Sequence, residues 1–127
     1  MTMPLSIAVG NYDRTRPLVD GRVQIDGVKP LFMTLTPEEM FFRAFRHADF
    51  DVTELSLASY AVSVAKEQNH YIALPIFLSR AFRHSSIYVT QLSNIKSPKD
   101  LKGKHIGIAE YQLTANVWVR ALLEDEF

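Results

Sequence analysis

Residues 29–55 read KPLFMTLTPEEMFFRAFRHADFDVTEL and predict a strand, a helix and a second strand in succession. The apolar run Lys29–Leu35 predicts the first strand, and Pro30 places it near a sheet edge because proline cannot donate a ladder hydrogen bond. Asp51–Leu55 predicts the strand that follows the helix. Such alternation is typical of α/β proteins with a largely parallel sheet.

The helix between these strands has the clearest boundaries in the sequence. It starts at Thr36-Pro37-Glu38-Glu39, where the threonine caps the helix, the proline suits the first helical position and the last glutamate closes a capping box. Acidic residues in the first turn and basic residues near the end match the helix dipole. Phe41, Phe45 and Ala48 form one apolar stripe, which predicts the face that packs on the sheet.

The rest of the chain continues the alternation of strands and helices. The further predicted strands are Leu5–Gly10, Tyr71–Leu78, Ser85–Val89 and Lys104–Ala109. Ser56 and Ser97 are expected to cap helical segments, and a last helix is predicted from about Leu113 to Leu123. We therefore expect an α/β fold with a mostly parallel sheet and flanking helices.

The overall composition is that of a folded globular protein, with 47% hydrophobic and 22% charged residues. Lysine plus arginine equals aspartate plus glutamate, 14 against 14, which argues against a general nucleic-acid or membrane binder. The lack of cysteine excludes a disulfide framework, a thiolate zinc site and a cysteine nucleophile. No signal sequence or membrane-length apolar stretch appears, so a cytoplasmic location is expected.

The loops that follow predicted strands carry most of the chemically active side chains. In open parallel sheets, ligands bind beyond the carboxyl ends of the strands. The loops at these positions are Asn11–Pro17, Glu54–Ser59, Ser79–His84 and Glu110–Thr114. Two of the four carry paired arginines, whose planar guanidinium groups match a carboxylate bidentately.

In the first arginine loop, Arg14 and Arg16 are candidate ligands for a carboxylate. The alternative is a solvated loop in which Asp13 or Asp20 neutralises one of the arginines.

The second arginine loop contains Arg80, Arg83 and His84 around Phe82, a combination that suits a flat anionic ligand. The alternative is a charged crossover whose phenylalanine lies in the core. Taken together, the two loops favour an anion site more than either loop does alone.

Glu54 ends a short apolar strand and is a candidate for proton transfer, because a half-buried carboxyl would have a raised pKa. The alternative is that it pairs with a nearby arginine. Ser56 and Ser59 follow it; the first is expected to cap a helix, although the N–H groups beside it can also bind an anion. Tyr111 and Thr114 precede the last helix and offer ligand donors, with plain capping as the alternative for the threonine.

The four histidines show no paired spacing with one another or with acidic residues, so the sequence does not support a metal site. They are His47, His70, His84 and His105. No glycine-rich phosphate loop, nucleophile elbow or nucleotide fingerprint is present.

Five segments form a combination that is more specific than any single motif. They are Tyr12–Leu18 with Asp20–Val23, Pro37–Arg43, Phe50–Ser56, Ser79–Val89 and Glu110–Ala115. Together they resemble the 4,5-dihydroxyphthalate decarboxylase family, whose fold is similar to that of type II periplasmic solute-binding proteins. The resemblance extends over essentially the whole chain, and the two arginine segments are its most specific parts.

The resemblance implies a two-lobed protein that holds its ligand in a cleft. Residues 1–90 would form the first lobe, and residues 91–127 the crossover and the start of the second. Members of the family continue beyond the length of this chain, so we expect a fragment whose second lobe is incomplete and whose activity is impaired.

The implied reaction is the non-oxidative loss of one carboxyl group from 4,5-dihydroxyphthalate, which yields protocatechuate and carbon dioxide. Such a reaction needs cations that orient two carboxylates and groups that transfer protons, and we assign the first role to four arginines and the second to two further residues. The arginines are Arg14, Arg16, Arg80 and Arg83, and the proton-transfer residues are Glu54 and His84. The other expected contacts with the aromatic dicarboxylate are made by Ser56, Ser59, Tyr111 and Thr114. The scheme requires no cofactor.

Two other interpretations compete with the enzyme. A solute-binding protein of the same fold would capture a small anion without catalysis, but it normally carries a signal peptide or a lipid-anchored cysteine. An inactive partial chain would expose the apolar face of its last helix and would be poorly soluble. The sequence leaves the particular aromatic acid and the oligomeric state open.

Overall fold

The computed structural model describes residues 2–81 and 87–127, within which the strands form one three-stranded parallel sheet. Its strands are β1 (Met3–Val9), β2 (Val28–Thr34) and β3 (Val52–Thr53), and the order across the sheet is β2-β1-β3. The predicted α/β class with a parallel sheet is therefore confirmed. β2 lies at an edge, as its proline predicts.

The central strand β1 supplies the middle of the core. Its last three residues, Ile7, Ala8 and Val9, are buried, as expected for a strand with a neighbour on each side. Ile7 lies opposite Val52 of β3, and on the other side it lies opposite Phe32 of β2.

Helices lie in both halves of the described chain. Their bounds are α1 (Arg16–Val19), α2 (Pro37–His47), α3 (Leu57–Ala65) and α4 (Thr114–Glu126), and a 3-10 helix covers Pro98–Leu101. In the described part of the chain, no helix is long and apolar enough to cross a membrane.

Helix α2 begins where its sequence predicts. Thr36 is the N-cap, and its hydroxyl oxygen accepts a hydrogen bond from the N–H of Glu39 at 3.4 Å. The Glu39 carboxylate accepts from Nη1 of Arg43 at 3.4 Å. The helix ends at Ala48, which adopts a left-handed conformation with φ of 51°. The threonine half of the capping box is therefore confirmed, and the glutamate serves an ion pair along the helix.

The buried face of α2 differs from the predicted stripe of Phe41, Phe45 and Ala48. Met40 and Ala44 are the fully buried residues of the helix, and Ala48 is the exposed residue that terminates it. The two small residues Ala44 and Ala8 belong to the same core cluster, which lets helix and strand approach closely. The buried face therefore lies one residue earlier in the helix than the face that the aromatic residues indicate, because small side chains allow close packing there.

Two predicted strands, Tyr71–Leu78 and Lys104–Ala109, are wrong: both segments are irregular. Of the predicted strand Ser85–Val89, residues 87–89 are also irregular, and 85 and 86 lie outside the described residues. Ile72 is 90% exposed, so the apolar run is not buried as a strand would be. A strand requires a hydrogen-bonding neighbour as well as apolar side chains, and the described sheet has none beyond β3.

The chain divides into two compact units. The first comprises Met1–Ser56 with Tyr60–Arg80, and the second comprises Leu57–Ser59 with Ala81–Phe127. The first unit contains the sheet together with α1 and α2, and the second contains the 3-10 helix and α4. The predicted lobe boundary at residue 90 stays a prediction.

Candidate active site

The loop after β1 is held in shape by a buried threonine. Thr15 is only 4% exposed, and its hydroxyl donates to the carbonyl oxygens of Gly10 at 3.3 Å or Tyr12 at 3.1 Å. The N–H of Arg16 also donates to the Tyr12 carbonyl at 3.1 Å. These bonds are made by the Thr15 side chain and the loop backbone, and none of them uses the side chain of Tyr12.

Glu54 follows β3 and reaches the end of β1. Its N–H donates to the carbonyl of Ala8 at 3.1 Å, which continues the strand pairing. Its carboxylate accepts two hydrogen bonds, from the N–H of Gly10 at 3.3 Å and from the hydroxyl of Tyr12 at 2.9 Å. The carboxyl ends of neighbouring parallel strands therefore meet here.

Gly10 provides the space for the ring of Tyr12. A Cβ atom at this buried glycine would lie 2.5 Å from Cζ of Tyr12 and 2.6 Å from its hydroxyl oxygen. No real Cβ contact is this short, so any larger residue at position 10 would force the tyrosine ring away from Glu54.

One end of the Arg14 guanidinium group is hydrogen-bonded to a distant segment of the chain. Its Nε donates to the carbonyl oxygen of Leu78, and its Cζ lies 4.8 Å from the centroid of the Tyr12 ring. Among the described residues, no hydrogen bond or ion pair to the terminal nitrogens Nη1 and Nη2 is found. These two nitrogens form the edge that grips a carboxylate bidentately.

The pKa of the Tyr12 hydroxyl lies above its ordinary value. Burial raises the pKa of the Tyr12 hydroxyl, and its hydrogen bond to Glu54 raises it further. A hydrogen bond from Ser79 and the charge of Arg14 act in the opposite direction. The hydroxyl is therefore a stable donor to the carboxylate, and Ser79 comes from the segment that Arg14 also contacts.

Arg16 is placed differently from Arg14. Its Nη2 donates to the side-chain oxygen of Asn11 at 3.2 Å and lies 3.9 Å from the carboxylate of Asp13. Asp20 pairs with Arg22 at 2.9 Å. An acidic neighbour thus accompanies Arg16, as one of the two interpretations of this loop expects, whereas Arg14 has none among the described residues.

The remaining predicted residues of the first unit are Ser56 and Arg80. Ser56 is 4% exposed and directly precedes α3; its carbonyl accepts the N–H of Tyr60 at 2.9 Å. The side chain of Arg80 is exposed. Arg83 and His84, together with Phe82, lie outside the described residues.

Two predicted residues of the second unit, Ser59 and Thr114, form hydrogen bonds between the start of α3 and the segment at the start of α4. The hydroxyl of Ser59 donates to the carbonyl of Gln112 at 3.0 Å, and the hydroxyl oxygen of Thr114 accepts the N–H of Ala58 at 3.2 Å. Thr114 therefore satisfies a first-turn N–H of α3 and does not act as the N-cap of α4, which is Leu113. This differs from the capping alternative considered for it.

Tyr111 is held by a cation. Cζ of Arg120 lies 3.6 Å from the centroid of its ring, and Nη1 of Arg120 donates to the Tyr111 carbonyl at 2.9 Å. The tyrosine ring is 67% exposed, so it presents one aromatic face beside a positive charge.

Two residues of the site, Gly10 and Tyr12, were missed by reasoning from sequence. The available signal was a glycine at the end of a strand followed two residues later by an aromatic residue, which marks a place where a side chain crosses close to the backbone. In residues 2–81 and 87–127, no group of three His, Asp or Glu side chains is arranged to hold a metal ion.

No family model matches the chain. It is 66% identical to the 4,5-dihydroxyphthalate decarboxylase of Comamonas testosteroni over 125 residues, which cover 98% of this chain and 38% of that protein. It is also 66% identical to the 4,5-dihydroxyphthalate decarboxylase of Pseudomonas putida over 122 residues, or 96% of this chain and 47% of that protein. The chain thus spans less than half the length of these homologues, and the resemblance found in its sequence is confirmed.

Proposed function

We propose that this chain is part of a carboxy-lyase that removes one carboxyl group from 4,5-dihydroxyphthalate to give protocatechuate and carbon dioxide. The observation that carries the proposal is its close similarity, over nearly the whole chain, to two proteins that bear that name. The site at the carboxyl ends of β1 and β3 supports the proposal, because it combines an open guanidinium edge with a hydrogen-bonded carboxylate.

The proposed reaction replaces carbon dioxide with a proton at one ring carbon. The hydroxyl para to the departing carboxylate loses its proton while the ring carbon gains one, which gives a dienone. The bond to the carboxylate then breaks, and its electron pair restores the aromatic ring while the dienone oxygen recovers a proton. Atoms and electrons balance without an oxidant or a reductant, so the scheme needs no redox cofactor.

In this proposal, the arginines bind the two carboxylates of the substrate. Arg14 holds one carboxylate through Nη1 and Nη2, since its Nε is engaged with Leu78. Arg16, Arg80 and Arg83 contribute to holding the second carboxylate. Two adjacent carboxylates carry a double negative charge, and several cations are needed to offset its desolvation.

Proton transfer falls to Glu54 and His84. Glu54 lies beside Tyr12 at a strand end, in the region where ligands bind to open parallel sheets. A general acid must be within hydrogen-bond reach of the atom that it protonates. The assignment is supported by Tyr12, which donates a hydrogen bond to Glu54 and whose ring lies beside Arg14. Ser56, Ser59, Tyr111 and Thr114 complete the proposed set of substrate contacts.

We extend the proposal to the fold and to the division of the chain. The parallel α/β sheet of the first unit is consistent with a fold like that of type II periplasmic solute-binding proteins. Residues 1–90 would belong to a first lobe, and residues 91–127 would begin a second.

The test is turnover by a chimera, because the chain spans less than half of its homologues. Residues 1–127 are joined to the part of the Comamonas testosteroni protein that they do not span, and protocatechuate is followed by chromatography. In deuterium oxide, the product should carry one deuterium on the carbon that lost the carboxyl group. The Glu54→Gln chimera should lose roughly a hundredfold in kcat, since general acid catalysis contributes about 10²–10⁴-fold.

The matched control is Arg46→Gln, which alters an exposed arginine of α2 outside the site and should leave turnover unchanged. Binding of 4,5-dihydroxyphthalate by the chimera without formation of protocatechuate would contradict the enzyme and favour a solute-binding protein.

A further inference from the structure

Tyr12 contacts two oppositely charged groups with two different parts of its side chain. Its hydroxyl donates to Oε1 of Glu54 at 2.9 Å, and the face of its ring lies 4.8 Å from the guanidinium carbon of Arg14. The hydroxyl and the ring face are the two features by which a tyrosine attracts an anion and a cation at the same time.

An arginine and a glutamate in one small site could form an ion pair, which would compete with binding of a ligand carboxylate by the arginine. Opposite charges attract, and a direct ion pair would occupy the guanidinium edge that a substrate carboxylate needs. Within the described part of the chain, no ion pair between Arg14 and Glu54 is found. Each group has a different partner: the arginine binds the Leu78 carbonyl, and the glutamate binds Gly10 and Tyr12.

We propose that Tyr12 is a positioning residue that keeps Arg14 and Glu54 apart, so that the arginine stays open to a ligand carboxylate. The inference rests on the proposed function for the kind of ligand, an aromatic dicarboxylate. The ring blocks the approach of the two charges, and the hydroxyl satisfies the glutamate in place of the arginine.

The loop itself supports this role for the side chain. Its path is held by Thr15, whose hydroxyl bonds to backbone carbonyls of Gly10 and Tyr12. The ring of Tyr12 is therefore not needed to shape the backbone. Its position over Gly10, where no Cβ would fit, serves the contacts of the ring and the hydroxyl.

The test measures binding of phthalate, an unreactive dicarboxylate, to the 127-residue chain by titration calorimetry. Tyr12→Phe keeps the ring and should bind phthalate within about threefold of the unaltered chain. Tyr12→Leu removes both features, and the freed arginine should pair with Glu54, which weakens phthalate binding roughly tenfold or more. Tyr88→Leu, at a tyrosine that is 88% exposed, is the matched control and should have no effect.

The decisive variant is the double change Tyr12→Leu with Glu54→Gln. Without the charge of Glu54 the arginine has no internal partner, so phthalate affinity should return to within about threefold of Glu54→Gln alone. A residue that merely maintained the fold would not be rescued in this way, and circular dichroism verifies that each variant is folded.

Three results would overturn the inference: full affinity in Tyr12→Leu, no recovery in the double variant, or no phthalate binding by the unaltered chain. The proposed decarboxylase function is contradicted by a different result from the one that contradicts the role of Tyr12. Rescue of phthalate binding together with an inactive chimera would contradict the decarboxylase and leave the role of Tyr12 standing.

Discussion

The hydroxyl of Tyr12 donates a 2.9 Å hydrogen bond to Glu54, a residue that lies 42 positions further along the chain. Two adjacent parallel strands, β1 and β3, bring the pair together, because each residue follows the carboxyl end of its strand. The pair connects the first arginine loop to the residue that follows β3, and four predictions follow from this geometry and from its surroundings.

Gly10→Ala should displace Tyr12 and lower stability. The added Cβ would lie 2.5 Å from the ring, and relief of such overpacking costs about 1–3 kcal/mol. The free energy of unfolding, from urea denaturation, measures the effect. Gly107→Ala is the control, because a Cβ there meets nothing within 4 Å. Equal stability in the two variants would contradict the close packing at Gly10.

The ionisation of Tyr12 should occur above its ordinary pKa of 10.0, because burial and the Glu54 carboxylate favour the protonated form. The folded protein then holds this proton more tightly than the unfolded chain. The resulting stability is fully present below about pH 10 and is lost as the pH rises through the raised pKa.

Phenolate absorbance of the unaltered chain minus that of Tyr12→Phe isolates this titration. Glu54→Gln should move it to lower pH, because the negative charge that opposes ionisation is removed. If Glu54→Gln did not change the pH at which Tyr12 ionises, the hydrogen bond between Tyr12 and Glu54 would be contradicted.

Asp51 should contribute stability that disappears in acid. The hydroxyl of Ser6 at 2.7 Å and its N–H at 2.8 Å donate to the Asp51 carboxylate and lower its pKa below the ordinary 3.8. The contribution is present above the pKa of the unfolded chain and is lost as the pH falls through the lower folded value.

The difference in unfolding midpoint between the unaltered chain and Asp51→Asn, compared at about pH 7 and about pH 3, measures this effect. The difference should be larger near neutral pH and should shrink in acid. Glu38→Gln, at an exposed residue of α2, provides the comparison. A difference that does not change with pH would show that the hydrogen bonds to Ser6 do not favour the ionised carboxylate.

Arg14→Lys should weaken phthalate binding roughly tenfold although the charge is kept. A lysine ammonium group cannot donate to Leu78 and also present a planar pair of N–H groups to a carboxylate. Calorimetric titration of the chain measures the affinity, with Arg46→Lys as the control. Equal affinity in Arg14→Lys would mean that only the charge of Arg14 matters.

Local signals predicted the elements that depend on short-range chemistry. The start of α2 at Thr36 follows from capping, and the edge position of β2 follows from Pro30. Each depends on hydrogen-bonding groups that are close in sequence, so the sequence contains the information directly.

The carboxyl ends of β1 and β3 could likewise be identified as the place of a site. Parallel strands share their direction, and a residue after each strand must therefore lie at the same edge. Arg14 and Glu54 were named on that ground. Tyr12 was not named, because its contact with Glu54 depends on the pairing of two strands that are distant in sequence.

By itself, the sequence determined the α/β class, the capped start of α2 and the loops that carry the charged residues. Only the tertiary structure decided which face of α2 is buried, which apolar runs become strands, and how Arg14, Tyr12 and Glu54 are arranged. Apolar periodicity reports that a segment can be buried, whereas the partner that buries it depends on packing between distant segments. The Tyr12–Glu54 hydrogen bond likewise depends on packing between distant segments. Each residue follows a strand for local reasons, and only the pairing of β1 with β3 brings the two side chains into contact.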